Sequence, residues 1–182
     1  LPVFATVGEA SNPIMLQHRN DHAVVFGGRQ QRMKVYKALC EVGNKLSHSL
    51  ALLGVKEIVD IGPSLELEKK IAGCNVRMLG ARSAAEVSKE LGNAKVGFLD
   101  YPGHVFTKSS IASSYFAHRM LVVNTLQISG LPPDLEEGKQ FVDIGRFTSG
   151  QFNAQLIADA GYCWYQPHGI SATGEKFWAA LL

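Results

Sequence analysis

Short apolar runs, each followed by a stretch with helical spacing, recur along this chain, and that alternation restricts what it can fold into. His22-Ala-Val-Val-Phe26, Lys56-Glu-Ile-Val-Asp-Ile61, Asn75-Val-Arg-Met-Leu79, Lys95-Val-Gly-Phe-Leu99, Met120-Leu-Val-Val-Asn124 and Gln140-Phe-Val-Asp-Ile144 read as strands. The first, an apolar run after His22 that ends at Gly27-Gly28, suits a buried parallel strand leading into a tight turn. Between the first two, Met33, Val35, Tyr36, Leu39, Val42, Leu46 and Leu50 recur at mostly three- and four-residue steps. That spacing predicts one helix from Arg29 to Leu53, stopped by Gly54. Ser64 is expected to cap a helix running to Ala72, and Ser83 with Glu86 forms a capping box opening a helix to Leu91. A further helix is expected from Ser109 to Arg119, after a break at Tyr101-Pro-Gly103, and residues 149–165 and 172–182 read as terminal helices.

Strands joined through helices imply right-handed crossovers, hence an α/β Rossmann-like fold with a mostly parallel sheet and helices on both faces. In such sheets ligands bind beyond the carboxyl ends of the strands, where strand order reverses. The loops 27–32, 61–64, 80–83 and 100–110 are therefore where a site is expected.

A length of 182 residues suits one domain, and 46% apolar with 19% charged residues is ordinary globular composition. A net charge of +2 is too mild to imply nucleic acid as a partner. The apolar stretches are interrupted well before the roughly 20 residues of a membrane span, so no transmembrane segment is expected. Cys40, Cys74 and Cys163 show neither disulfide-framework nor zinc spacing, which suits a reducing, cytoplasmic setting. Residues 1–20, with Pro2, Gly8 and Asn12-Pro13, read as a linker, leaving 21–182 as the domain. Leu1 resembles neither an initiator nor the start of a signal peptide, and an upstream portion is expected.

Two constellations carry possible chemistry. Gly27-Gly28-Arg29-Gln30-Gln31-Arg32 lies where the first strand turns into its helix. Glycines admit close backbone approach, helix-start amides attract anions, and Arg29 and Arg32 add donors suited to phosphate. The alternative is a helix start with solvated arginines. Asp100-Tyr-Pro-Gly-His104 is followed by Thr107-Lys108-Ser109-Ser110 at a second helix start, where a diphosphate would meet Lys108 and the first-turn amides of Ser109 and Ser110. Here the alternative is a plain helix cap beside a solvated lysine. Gly80, Asp100, Tyr101 and His104 are further candidates for sugar or base contacts. His118 is assigned to packing or surface and His168 to a turn between the terminal helices. The glycine pattern is not the dinucleotide fingerprint, no P-loop is present, and no catalytic triad is placed by local spacing.

In the order of these pieces, residues 21–182 resemble the C-terminal, donor-binding half of GT-B glycosyltransferases. The likeness is carried by Val-Val-Phe-Gly-Gly-Arg-Gln-Gln-Arg32, by Leu79 to Leu91 with Asn93 to Pro102, and by Lys108 to Val123. The resemblance implies that Arg29 and Arg32 fill the family's Arg and Lys positions near the donor diphosphate, and that a nucleoside-diphosphate sugar is the donor, with no metal or other cofactor required. It implies an upstream Rossmann-like domain for the acceptor, against which the terminal helix would pack, and no efficient transfer without it. Many retaining members carry two glutamates where this chain has Phe106 and Ser114, so donor handling is expected to differ. A nucleotide-sugar epimerase of the same fold and a non-catalytic Rossmann-like binding module are the competing readings.

Overall fold

The computed structural model describes residues 2–179 and 181. β1 (His22–Phe26), β2 (Glu57–Ile61), β3 (Lys70–Ile71), β4 (Cys74–Gly80), β5 (Val96–Leu99), β6 (Leu121–Asn124) and β7 (Val142–Asp143) form one sheet in the order β3-β4-β2-β1-β5-β6-β7. All neighbours are parallel except β3, which runs antiparallel to β4. The helices are α1 (Arg29–Val42), α2 (Asn44–Leu52), α3 (Ala84–Asn93), α4 (Gly103–Phe106), α5 (Ser110–Ala117), α6 (Ile144–Ser149), α7 (Ala154–Tyr165) and α8 (Ile170–Ala179). The fold is the α/β, Rossmann-like one that the strand–helix alternation implies.

Side chains on successive strand residues point to opposite faces, so each central strand feeds two cores. Val25, Ile58, Phe98 and Val123 pack on one face with Val35 and Leu39 of α1 and Leu46 and Leu50 of α2. Val24, Val59 and Val122 pack on the other with Val87 and Leu91 of α3 and Tyr115 and Phe116 of α5.

Three elements differ from expectation. The helix expected over 29–53 is two helices, because Gly43, at φ 59°, ends α1 and the chain restarts as α2. The helix expected over 64–72 does not form. Instead β3 and β4 make a hairpin whose two-residue turn, Ala72-Gly73, has φ of 50° and 81°. Positive φ at both central residues matches the right-handed twist of paired strands, so a glycine that resembles a helix stop serves a turn. The region 149–165 opens differently too: α6 precedes it, Asp143 accepts the Arg146 N–H as its cap, and left-handed Gly150 separates it from α7.

Residues 2–20, expected as a linker, lie against the domain. Ala5, Val7 and Leu16 are buried, the Ala5 N–H donates to the Tyr165 hydroxyl at 2.8 Å, and the Val3 N–H donates to the Thr107 carbonyl at 3.0 Å. Arg19 fastens the segment, donating to the carbonyls of Ile14, Ala94 and His118. Burial, together with Arg119, draws its guanidinium down to about 10. Glu9 accepts from the Tyr165 hydroxyl at 2.6 Å and from the Ile170 N–H at 2.8 Å, tying the segment to the start of α8. The expected helix to 182 is described only as far as Ala179; Ala180 and Leu182, like the start at Leu1, lie outside the described residues. Among the described residues no helix is long and apolar enough to cross a membrane.

Candidate functional site

From β1 the chain moves outward to β2 and β4, and α3 then carries it back to β5 on the far side of β1. Strand order therefore reverses between β1 and β5, and their carboxyl ends part there. The Tyr115 hydroxyl bridges the two, accepting the Phe26 N–H at 3.1 Å and donating to the Phe98 carbonyl at 3.2 Å. Burial pushes this phenol well above its usual range, so it stays a donor.

A cleft of about 390 Å³ opens beyond these strand ends, with Gly27, Gly28, Gly62, Arg82, Ser110 and Ile111 in its walls. Two of the glycines are required by geometry. A Cβ on Gly27, at φ 132°, would stand 2.4 Å from Ile111 Cδ1, and one on Gly62, at φ 151°, would stand 2.3 Å from the Gly27 carbonyl oxygen. Both also adopt a backbone that residues with a Cβ avoid. The turns after β1 and β2 thus lie directly against each other and against the start of α5.

Arg32 does not take the phosphate role expected of it. Its side chain is fully buried, ion-paired with Asp60, and it donates to the carbonyls of Pro63 and, at 2.9 Å, of Gly27. Tyr36 donates to the other Asp60 oxygen at 3.0 Å, and burial, then the Asp60 charge, pushes its phenol far above the usual range. An unpaired buried charge is costly, so the guanidinium turns to the carboxylate on β2 and clamps the two glycine turns from below. Arg29, one turn earlier, is exposed.

At α5, the Ser109 side chain caps the helix by accepting the Ala112 N–H at 3.1 Å, while the Ser109 N–H donates to the Phe106 carbonyl at 3.2 Å. The Ser109 amide expected to meet a phosphate is therefore already used. Ser110 and Ile111 open the helix, where N–H groups have no carbonyl one turn back, and both line the cleft. Lys108 is exposed just ahead of them, outside the cleft walls.

The other expected contacts are scattered. Asp100 is buried, accepts the Thr125 hydroxyl, and faces a separate hollow beside Lys34 and Lys37. The Tyr101 N–H donates to Asn124 Oδ1 at 2.9 Å, and Asn124 returns a bond to the Tyr101 carbonyl at 3.0 Å, fixing the loop after β5. His104 is exposed on the single turn α4. Gly80 supports the rim from behind, its carbonyl accepting the Gly62 N–H at 3.1 Å. Phe106 is buried against Phe141, and Ser114 is buried with its hydroxyl donating to the Ser110 carbonyl at 2.6 Å, so neither position presents a group to the cleft. Arg82 and Gly62, by contrast, were not singled out by residue patterns, although both stand in the loops 61–64 and 80–83 where a site is expected.

A larger hollow of about 510 Å³ lies at the opposite, amino-terminal end of the sheet, between Leu16, Leu53 and Phe152. It has neither a glycine turn after a strand nor a strand-order reversal, the features that favour ligand binding in such sheets.

The crystal structure of TarM, a glycosyltransferase of GT-B type, superposes with a TM-score of 0.56 at 13% identity. The fold is glycosyltransferase-like. The match covers 98% of this chain and 37% of TarM, so the chain spans well under half the length of that protein. No family model matches the sequence, and no curated protein matches it.

Proposed function

We propose that this domain is the donor-binding half of a glycosyltransferase, holding the diphosphate of a nucleoside-diphosphate sugar in the cleft beyond β1 and β5. The observation that carries the reading is the convergence, at the strand-order reversal of a glycosyltransferase-like sheet, of the Gly27-Gly28 turn with the opening amides of α5. Helix-start amides bind anions, and the positive end of the helix favours the charge that develops on a leaving diphosphate. Arg29 and Lys108, exposed at the two helix starts that flank the cleft, supply mobile positive charge at its mouth. Phe106 and Ser114 leave ribose and sugar without the acidic partners of many retaining enzymes. Transfer also needs an acceptor held against the donor, and the reading places that task on a second domain.

Calorimetry with nucleoside diphosphates and monophosphates tests this. A diphosphate is expected to bind with a 1:1 stoichiometry and more tightly than its monophosphate, and Lys108→Ala to weaken it by about 1 kcal/mol or less, as suits an exposed charge at the rim. Equal affinity for both, or none for either at millimolar concentration, would sink the reading. A nucleotide-sugar epimerase would instead turn over free nucleotide sugar without an acceptor.

A further inference from the structure

Arg82 stands in the cleft wall formed by the exit of β4 and the start of α3, across the β2 and β1 turns from the start of α5. Two strand spacings separate the exits of β4 and β1, about 10 Å. The cleft is thus extended, with helix-start amides at one side and an arginine at the other. Between them Pro63, Ile61 and Val87 give apolar walls that suit a planar ring.

Among the described residues nothing holds the Arg82 guanidinium strongly. Its one hydrogen bond among the described residues is a long one, 3.4 Å from Nη1 to the Ala81 carbonyl. The nearby Glu86 carboxylate is taken by Ser83, whose N–H and hydroxyl donate to it at 2.9 and 2.7 Å. The side chain is exposed, and its fork of donors is free to turn into the cleft.

Resting on the donor-site reading, we propose that Arg82 selects the nucleobase, and that it selects a base with two adjacent acceptors, guanine through O6 and N7. With the diphosphate at the α5 amides, the base of a nucleotide lying along the cleft falls on the Arg82 side. A guanidinium donates two parallel N–H bonds, and guanine O6/N7 is the acceptor pair that matches them best among the common bases. Adenine sets a donor beside N7, and uracil offers O4 alone on that edge. Cytosine has an acceptor pair of its own in O2 and N3, and is the one other base this chemistry would admit.

The test is calorimetry on the chain with GDP, ADP, UDP and CDP, repeated with Arg82→Ala and Arg82→Lys. The expected result is GDP bound at least about tenfold more tightly than ADP or UDP, with both substitutions removing that margin. Arg82→Lys keeps the charge and loses the fork, so it is expected to retain most diphosphate affinity while losing base selectivity. A tenfold CDP preference over GDP would overturn the guanine assignment. GDP, ADP and UDP binding within threefold of one another, or a GDP preference that survives Arg82→Ala, would overturn the role of Arg82 and leave the donor cleft standing. No binding of any diphosphate removes the donor-site reading, and this proposal with it.

Discussion

Arg32 and Arg82 differ in what surrounds them rather than in what they are. Arg32 shares the spacing of Val35, Tyr36 and Leu39, so it sits on the buried stripe of α1, and Asp60 stands among the buried residues of β2 as its partner. In the sequence, the place of Arg32 beside Gly27-Gly28 resembles a phosphate ligand, and the partner that buries it stands 28 residues away. Arg32→Ala should leave Asp60 charged and unpaired in the core, and cost about 3–5 kcal/mol in urea denaturation, whereas exposed Arg29→Ala should change stability by about 0.5 kcal/mol or less. A loss under about 1 kcal/mol for Arg32→Ala would show that the pair is not a structural clamp. His118 offers a second check. Its Nδ1 lies 2.7 Å from the Ser114 carbonyl and must donate, which leaves Nε2 to accept from the Ser88 hydroxyl at 2.7 Å. Burial, opposed by the Ser114 bond and Glu9 but reinforced by Arg19, lowers its pKa below 6.5, and burial lowers that of His22 likewise. Below pH 6.5 the unfolded chain therefore binds protons that the folded one does not, so stability is complete above that pH and falls as pH drops through it. The melting temperature should decline between about pH 7 and pH 5.5, and His118→Gln should flatten the decline. An unchanged slope in the variant would show that His118 titrates normally.

Elements were legible where one pattern ran uninterrupted and illegible where a glycine of positive φ stood inside it. Six of the seven strands, the capping box of α3 and the α5 helix match their residue patterns, because short apolar runs and local capping are written along the chain itself. Gly43, Gly73 and Gly150 each carry a positive φ, yet one breaks a helix in two, one closes a hairpin and one ends a helical turn. A glycine's neighbours in space decide among these, and spacing along the chain does not record them. Arg82 lies immediately before the α3 cap, so that cap also holds one wall of the cleft in place. Ser83 accepts the Glu86 N–H at 3.3 Å while Glu86 accepts from Ser83, and these bonds hold the Glu86 carboxyl below its usual range. Ser83→Ala should cost about 0.5–2 kcal/mol in thermal or urea unfolding. No measurable loss would mean that the start of α3 is fixed by Val87 packing alone.

At the scale of the whole molecule, the alternation of strands and helices foretold a parallel sheet but left the strand order open. The order decides where the cleft forms, since it sets the reversal between β1 and β5 and gathers Gly27, Gly62, Arg82 and Ser110 from loops up to 83 residues apart in sequence. Lys108 and His104, close to Ser110 along the chain, are exposed and stand outside the cleft walls. On the proposed function this cleft, and not the larger hollow at the amino-terminal end, binds a nucleoside diphosphate. Titrating the isotope-labelled chain with a nucleoside diphosphate while following backbone amide resonances tests it most directly. Gly27, Gly28, Gly62, Ser110 and Ile111 are expected to shift together and saturate with one dissociation constant. Saturable shifts confined to Gln17, Lys95 and Gln155 around the larger hollow, or no saturable shift anywhere, would contradict it.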